Sequence, residues 1–450
     1  MKIDRDLTEK AILPTLISLS WPIMVGEGMQ LMYNIVDTFF VGQLGSEQLA
    51  AISLSFPLLF LLFSIAAGFM ISGTTLVSQY TGDKSGDDAD RAASQTLVFA
   101  VVLSVIFMLV GFLFGRELLA LMNPEPVVLE YAWSYFSIVL FGAPMTFVYF
   151  MFSSVLRGIG DTKTPMVFKI FTVGINVVLD PLLIFGFWFF PELGIEGAAY
   201  ATVIARLVSV IIGLFILFKG SRGIKVRPKY FVPDFKIFWK IMKIGVPASI
   251  GTSALSIAMT VMTFIVTSFG TYVLAAWGIV SRVASVIRLP SIGFSRATSV
   301  LVGQNIGAEK FEKAEKTAWK SVNVLFGIMV VVAFVGLVFA PYIIEPFADE
   351  PEVIRIGVEY LRIAVFAYTF LGIQMVIAGA LKGAGRTGIQ MFFRIFTLWI
   401  LQIPLSYYLS HVGGWGPSGI WWGIFIAKLV GVTVMALWFR RGTWMRRVIE

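Results

Sequence analysis

The sequence predicts an all-α integral membrane protein with twelve transmembrane helices, arranged as two pseudo-symmetric lobes of six helices each. The first observation is composition, because 58% of the 450 residues are hydrophobic and only 14% are charged. A soluble domain is nearer half apolar and a quarter charged. The second observation is a series of about twelve long apolar stretches. The third is an internal repeat, in which a shift of 225 residues aligns one half of the chain with the other.

The repeat has one constant offset and no gap. It aligns Pro22 with Pro247, the pair Gly68-Phe69 with Gly293-Phe294, and the glycine-rich loop at residues 156–162 with residues 381–387. Both loops follow a predicted helix, whereas a phosphate-binding loop follows a strand. We therefore expect the loops to be tight turns between helices. Duplicated membrane bundles are typical of secondary transporters, whose binding sites lie where the repeats meet.

The apolar stretches are near or above the ~20 residues that cross a bilayer as a helix. They lie near residues 15–42, 50–80, 93–122, 131–156, 166–190, 195–219, 240–268, 273–303, 318–345, 356–382, 390–410 and 417–439. We predict an N-lobe at 1–219, a basic cytoplasmic linker at 220–239 and a C-lobe at 240–450. The linker contains Pro228 and Pro233 and joins two matching sets of six spans.

Basic residues alternate between the connections. The N-terminus carries Lys2, Arg5 and Lys10, and every second connection is basic, whereas the other connections offer only Arg116 and Arg355. By the positive-inside bias, both termini are predicted to be cytoplasmic, and the two lobes form a parallel repeat. The net charge of +8 therefore sets topology and favours anionic lipid headgroups, and nucleic-acid binding is not expected.

Polar residues break the repeat in the N-lobe. The first span carries Gln30, Tyr33, Asn34 and Asp37, spaced so that they share one helical face. The fifth span carries Thr172, Asn176 and Asp180, again on one face, and Thr202 lies at a similar depth in the sixth. At the equivalent positions the C-lobe has mainly Leu, Ala and Met. A charged group within the hydrocarbon region is costly and is by default a hypothesis about function.

This layer is rich in oxygen atoms, and two kinds of ion chemistry fit it. Asp37, Asn176, Asp180 and Thr202 could bind Na⁺ through carboxylate, carbonyl and hydroxyl oxygens. Burial also disfavours the charged form of a carboxyl group, so the two acids could instead exchange protons as a coupled pair. The structural alternative is that both acids only hold helices together, with Arg206 as a permanent counter-ion.

Proline and methionine suggest further features of the helices. Pro22 and Pro247 lie early in the first and seventh spans, where each removes a backbone donor and could kink its helix. Methionines re-pack around varied ligands, so we predict a substrate cavity lined by Gln30 and five of them. These are Met145, Met151, Met259, Met262 and Met375. Helix packing is the competing explanation for each methionine. Trp415, Trp421 and Trp422 are expected to be interfacial anchors.

Four segments resemble motifs of the multidrug and toxic compound extrusion (MATE) transporters. Residues 33–45 (YNIVDTFFVGQLG) resemble the first-helix motif, and residues 156–163 (LRGIGDTK) resemble the loop after the fourth helix. Residues 176–181 and 197–202 resemble the motifs of the fifth and sixth helices. The similarity is greatest to the prokaryotic DinF-like branch, in which the acidic site lies in the N-lobe.

The resemblance implies a secondary antiporter that exports bulky, amphiphilic and often cationic drugs or toxins in exchange for H⁺ or Na⁺ by alternating access. It implies a coupling site of Asp37, Asn176, Asp180 and Thr202, with Tyr33 nearby, and the stripe on the first span adds Asn34. Because the seventh span lacks acids, coupling in the C-lobe is not expected.

We expect no enzyme activity and no cofactor beyond the coupling ion, since the chain has no cysteine, one histidine and no nucleotide motif. The expected partners are small amphiphilic substrates and membrane lipids, and the protein is expected to be a monomer in a prokaryotic cell membrane. Two alternatives remain at this point. One is a flippase for lipid-linked precursors, and the other is a membrane receptor or scaffold that transports nothing.

Overall fold

The computed structural model describes residues 7–188 and 190–449, and these residues form helices and no strand. Lys2 and Arg5 of the basic N-terminus lie outside them. We number the helices by span. The bounds are α1 Ile12–Val41, α2 Ser46–Gly82, α3 Gly86–Ala120, α4 Pro126–Phe141 with Ala143–Gly158, α5 Lys163–Phe185, α6 Gly194–Lys219, α7 Phe235–Thr267, α8 Thr271–Ile287 with Leu289–Gly307, α9 Phe311–Val338, α10 Pro351–Gly383, α11 Thr387–Val412 and α12 Pro417–Phe439.

Ten of these elements are single helices long and apolar enough to cross a membrane, and α4 and α8 bring the number to twelve if each bent pair is one span. The bends measure 47° in α4 and 41° in α8. In each, the second half has a proline in its first two positions, where the missing backbone donor costs nothing. The equivalent spans in the repeat, α10 and α2, are unbroken, so the bends depart from the symmetry of the sequence.

The two glycine-rich loops are tight turns, as predicted. Each places a glycine in the left-handed region, with φ of 86° at Gly160 and 71° at Gly385. The amide of the next residue, Asp161 in the first turn, donates to the carbonyl five residues earlier at 2.9 Å, and a bond of 2.8 Å closes the second turn in the same way. This is a helix C-cap in which only glycine is free of strain.

The described residues divide into two compact units. The first comprises residues 25–249 and the second comprises residues 7–24 and 250–449. The boundaries fall within α1 and α7 at positions related by the repeat. The linker at 220–239 belongs to the first unit, where Arg227 pairs with Asp90 at 3.0 Å. The predicted lobe limits 1–219 and 240–450 remain a prediction about domain organisation.

In the first unit, α5 packs closely along α6, and α4 packs against both α2 and α3. Small residues allow this approach, since a Cβ on Gly197 of α6 would lie 2.3 Å from the Leu183 carbonyl oxygen of α5. A buried cluster that includes Ala51, Phe136 and Ile184 connects α2, α4 and α5. The pairing of α5 with α6 is what brings the polar residues of the fifth and sixth spans together.

In the second unit, α10 is central and packs against α8, α9 and α12. Trp421 of α12 lies in its core, only 1% exposed, with its ring stacked 3.9 Å from that of Tyr360. The prediction that Trp421 is an interfacial anchor was therefore wrong, because its face of α12 turns towards α10. Trp415 and Trp422 are exposed as expected. The all-helical fold class is confirmed.

Candidate functional site

Polar residues of α1, α5 and α6 meet inside the first unit. The Tyr33 hydroxyl lies 2.8 Å from the Thr202 hydroxyl and so connects α1 to α6. The Asn176 amide donates to Asp180 Oδ1 at 3.0 Å and reaches Thr202 at 3.5 Å. Tyr33, Asn176, Asp180 and Thr202 thus form one hydrogen-bonded network, assembled from segments up to 169 residues apart.

Two oxygen atoms of this network have no partner. Asp180 and Asn176 are 0% and 1% exposed, and neither Asp180 Oδ2 nor Asn176 Oδ1 has a hydrogen-bond donor among the described residues. An unpaired buried acceptor costs about 1–3 kcal/mol, and more when it is charged. A proton on the carboxylate or a cation held between such oxygens would remove this cost. The two oxygen atoms are therefore suitable ligands for a cation such as Na⁺, and the Asp180 carboxylate could equally accept a proton.

Asp37 lies one helical turn beyond Asn34 on α1 and is half-buried. Asp37 is close enough to Asp180 to interact electrostatically with it, and Arg206 is close enough to act on Asp37. Both acids therefore belong to one charged site. One carboxylate comes from α1 and the other from α5.

Arg206 is not paired with either acid. Its guanidinium donates to Thr146 Oγ1 at 2.8 Å and lies 5.2 Å from the centre of the Phe63 ring. It forms no ion pair with a carboxylate of the described chain. The alternative of a permanent salt bridge that locks Asp37 or Asp180 thus has no support in this arrangement, and Arg206 acts on the site from a distance.

The remaining polar residues of α1 form a second, smaller group. Gln30 donates to Asn34 Oδ1 at 3.0 Å, and Lys169 of α5 donates to Gln30 Oε1. The Lys169 ammonium also lies 5.8 Å from the centre of the Tyr149 ring. Gln30 and Asn34 are therefore tied to each other and to a lysine, and no bond joins them to the Asn176–Asp180 pair within the described residues.

Sequence reasoning missed Lys169 and Tyr135. Lys169 lies within α5 and shares a face of that helix with Thr172 and Asn176, three and seven residues later. That spacing could have identified it. Tyr135 of α4 is buried in the apolar cluster that also holds Val41 of α1 and Ile184 of α5, which lie four residues beyond Asp37 and Asp180. No periodicity connects α4 to the site, so only the tertiary structure could reveal this contact.

The site does not resemble a transition-metal centre. No group of three or more His, Asp or Glu side chains that could hold a metal ion occurs among the described residues. The ligands on offer are two carboxylates, an amide and hydroxyls, which suit a hard monovalent cation or a proton rather than zinc or iron.

The five methionines predicted to line a cavity differ in their burial. Met151 and Met262 are 0% exposed, and Met262 belongs to a packed apolar cluster of the second unit. Their core positions argue against a role in lining a cavity. Met145 and Met375 are half-buried and Met259 is exposed. A cavity of about 800 Å³ in the second unit is lined by α9, α10 and α12, and none of the five methionines lines it.

Pro22 and Pro247 both lie inside unbroken helices, α1 and α7. Each precedes by two residues the boundary at which its helix passes from one compact unit to the other. The predicted kinks remain a prediction. The measured bends lie elsewhere, in α4 and α8.

Comparisons with known proteins agree with this architecture. The family model described as MatE matches residues 22–182 and 247–408, which are the two halves of the repeat. The probable multidrug resistance protein YpnP of Bacillus subtilis is 31% identical over 444 residues, covering 98% of this chain and 97% of the relative. An FAD transporter of Shewanella oneidensis is 27% identical over 415 residues, covering 92% of each chain.

The solved structures give the same result. The crystal structure of MATE in the straight conformation superimposes with a TM-score of 0.92 at 26% identity, covering 99% of both chains. Its match extends over both six-helix halves, and the duplicated family match confirms the predicted repeat. The chain is therefore a multi-pass membrane protein of the MATE family of multidrug efflux transporters, whose members are transporters and not enzymes.

Proposed function

We propose that this protein is an antiporter that exports small amphiphilic compounds in exchange for H⁺ or Na⁺, with the coupling site in the first unit. Asp37 and Asp180 bind the coupling ion, Asn176 and Thr202 supply further oxygens, and Tyr33 orients Thr202. Asn34 extends the polar face of α1 towards the same site. The two termini are cytoplasmic, and the working form is a monomer in a prokaryotic cell membrane.

One observation carries this proposal. Asp180 Oδ2 and Asn176 Oδ1 are buried acceptors without donors, on a helix that is long and apolar enough to span the membrane. A purely structural acid would be expected to have its acceptors satisfied, because burying an unpaired polar group opposes folding. Acceptor oxygens without a hydrogen-bond donor suit a site that binds and releases a proton or a cation.

Coupling then follows from the charge of the site. A proton or Na⁺ cancels one negative charge in a low-dielectric environment, and the conformations that differ in burial of the carboxylates change in relative population. A substrate that prefers one of those conformations is linked to the ion by the same free energy. The internal repeat favours alternating access by its two halves as the large-scale motion.

The substrate class is suggested by the relatives. Several are named as multidrug resistance or multidrug export proteins, and one is named an FAD transporter. We propose that the substrates are small amphiphilic compounds, often cationic. Gln30, Met145, Met259 and Met375, which are not in the packed core, remain the candidates for contact with them.

The test is efflux of a fluorescent lipophilic cation, ethidium, from proteoliposomes under an imposed pH or Na⁺ gradient. Wild type should show efflux at least about tenfold faster when the H⁺ or Na⁺ gradient runs opposite to ethidium movement than when no gradient is imposed. Asp180→Asn and Asp37→Asn should lose the dependence on that gradient. Leu405→Met, at the position equivalent to Asp180 in the second unit, should retain it. Gradient-driven efflux that is unchanged in both Asn variants would reject the coupling site.

The same assay separates the alternatives. A receptor or scaffold predicts no efflux from any proteoliposome. A flippase predicts movement of a fluorescent lipid analogue but not of ethidium. The flippase alternative rests on basic residues within the spans, of which Arg282 and Arg362 are exposed, Arg206, Arg288 and Arg296 are half-buried, and Lys428 is buried.

A further inference from the structure

In the second unit, α8, α11 and α12 contain basic side chains and no Asp or Glu. Lys428 lies at the middle of α12, Arg288 at the bend of α8, and Arg394 two turns into α11. No Asp or Glu occurs from Ile250 to Ala308 or from Tyr360 to Ile449. These three spans are thus cationic, whereas the first unit holds Asp37 in α1 and Asp180 in α5.

Lys428 is the most deeply placed of these cations. It is 7% exposed, and no hydrogen-bond partner or carboxylate among the described residues acts on its ammonium. Arg394 and Arg288 both lie within electrostatic range of it, and no described carboxylate does. Like charges held together in a low-dielectric region repel each other, so the arrangement is costly unless an anion joins it.

Arg394 is equally short of partners. Of its five N–H donors, one reaches a protein acceptor, the Gly251 carbonyl oxygen, over a long distance of 3.4 Å. Near it, Gly431 of α12 lies against Thr397 of α11, since an added Cβ would be 2.4 Å from Thr397 Oγ1. Arg394 and Lys428 are each one turn from this close approach, so the two charges bracket it.

Three of the acids in the rest of this unit have partners of their own. Glu309 pairs with Arg447 at 2.5 Å, Glu352 pairs with Arg355 at 2.6 Å, and Glu359 accepts a hydrogen bond from Ser418. None of them acts on Lys428. Guanidinium and ammonium donors without a protein anion are the usual partners of phosphate and carboxylate groups.

We propose that Lys428, Arg394 and Arg288 bind an anionic oxygen group, a phosphate or a carboxylate, and that this group belongs to the transported amphiphile. That the anion belongs to a transported compound rests on the proposed transport function, whereas the anion site itself does not. It extends the substrate class from cations to amphiphiles that carry a negative group.

The test uses riboflavin and riboflavin 5′-phosphate, two fluorescent amphiphiles that differ by one phosphate. Binding to the purified full-length protein in phosphatidylcholine nanodiscs is measured by fluorescence anisotropy. We expect the phosphorylated compound to bind at least about tenfold more tightly. Lys428→Met should abolish this preference while leaving riboflavin binding unchanged. Equal binding, or no binding of either compound, would overturn the anion site.

Two further variants guard the result against misfolding. Lys428→Arg keeps the positive charge and should keep most of the preference for the phosphorylated compound. Arg362→Gln removes an exposed cation from α10 of the same unit and should change neither affinity. A loss of preference in Arg362→Gln equal to that in Lys428→Met would mean that only net charge matters, and the site would be rejected.

A lipid headgroup is the other source of the same chemistry. Adding phosphatidylglycerol to the nanodiscs distinguishes the two. Persistence of the preference supports a site for the substrate, whereas its loss, together with a rise in thermal stability that Lys428→Met lacks, assigns the site to lipid and overturns the substrate claim. Because binding requires no gradient, failure here and failure of the efflux assay are independent outcomes.

Discussion

Helices α5 and α11 occupy equivalent positions in the two halves of the chain, yet α5 carries polar residues where α11 carries leucines. Asn176 and Asp180 of α5 correspond to Leu401 and Leu405 of α11, and the one cation that they share is Lys169 in α5 and Arg394 in α11. In α5 the lysine binds Gln30, whereas in α11 the arginine has a single long bond to a carbonyl. Duplication preserved the positions and left their charges free to diverge.

The features that did not diverge are glycines at tight turns and at close contacts between helices. Gly160 and Gly385 make the same turn, and the paired glycines Gly68 and Gly293 each lie against a neighbouring helix. Gly68 of α2 packs against Ser249 of α7 within the first unit, and Gly293 of α8 packs against Met24 of α1 within the second. Close packing tolerates few substitutions, whereas a polar site can be lost from one copy if the other keeps the function.

The largest effect is expected from testing this glycine pair. A Cβ at Gly68 would lie 2.5 Å from the Ser249 backbone nitrogen, which cannot move without shifting α7. At Gly293 the nearest atom belongs to the flexible Met24 side chain, at 2.4 Å. We expect Gly68→Ala to destabilise the protein by about 3 kcal/mol and Gly293→Ala by about 1 kcal/mol, measured by thermal unfolding in detergent.

Gly327→Ala serves as the control for this pair. An added Cβ at Gly327 of α9 would meet nothing within 4 Å, so the substitution should leave the unfolding temperature unchanged or raise it slightly. An equal loss of stability at Gly68 and Gly293 would show that the two contacts are as rigid as each other and would remove the difference inferred between them.

An intermediate effect is expected from grafting the acidic pair onto α11. The variant Leu401→Asn/Leu405→Asp should not restore ion coupling to Asp180→Asn in the proteoliposome assay. The reason is that α11 is a π-helix at Phe396–Gln402 and again at Tyr408–Val412. A π-turn holds an extra residue, so side chains four apart no longer share the face that they share in α5. The graft should also lower stability, because it buries polar groups without partners.

Restored coupling in the grafted protein would mean that the repeat alone defines the site. It would also mean that the local difference between α5 and α11 is unimportant. Leu401→Met/Leu405→Met, which conserves volume, controls for disturbance of α11 and should leave both coupling and stability nearly unchanged.

The smallest effect concerns two exposed acids at equivalent positions, Asp87 and Glu312, in the first turns of α3 and α9. The Tyr230 hydroxyl donates to Asp87 and lowers the pKa of that carboxyl, with help from Lys229 and Arg227. A hydrogen bond from Lys316 lowers the pKa of Glu312. A carboxyl whose pKa is lower in the folded state stabilises the fold above its unfolded pKa, and this contribution is lost as pH falls through the folded value.

Asp87→Asn and Glu312→Gln should therefore each flatten the decline of the unfolding temperature below about pH 4. The change should be larger for Asp87→Asn, because its partners lie on the linker more than 130 residues away, at Arg227–Tyr230, whereas Lys316 lies on the same helix as Glu312. Asp88→Asn, next to Asp87 in the same turn, is the matched control. A larger change in Glu312→Gln would contradict the assignment.

Much of the site could be predicted because its residues follow helical spacing. Asn176 and Asp180 are four residues apart. They form a network with Tyr33 and Thr202, and the similar depth of these residues in α1, α5 and α6, with the family motifs, had predicted that the three helices share a site. The bends in α4 and α8 could not be predicted, since their sequence twins α10 and α2 are straight. Neither could the burial of Trp421, which depends on the face that α12 turns towards Tyr360. Helical spacing places Lys169 on the face of Thr172 and Asn176, but its contact with Gln30 depends on how α1 and α5 pack.

The sequence by itself determined that the protein lies in a membrane, how many helices span it and that the chain is duplicated. The length of the apolar stretches, the basic connections and the constant offset can all be found without knowing which segments are in contact. Tertiary structure alone decided which oxygens stay unpaired, which cations lack acids and where each half of α1 and α7 packs. The reason is physical. Hydrophobic length acts on each segment separately, whereas the cost of a buried charge depends on atoms brought from distant segments into the same few ångströms.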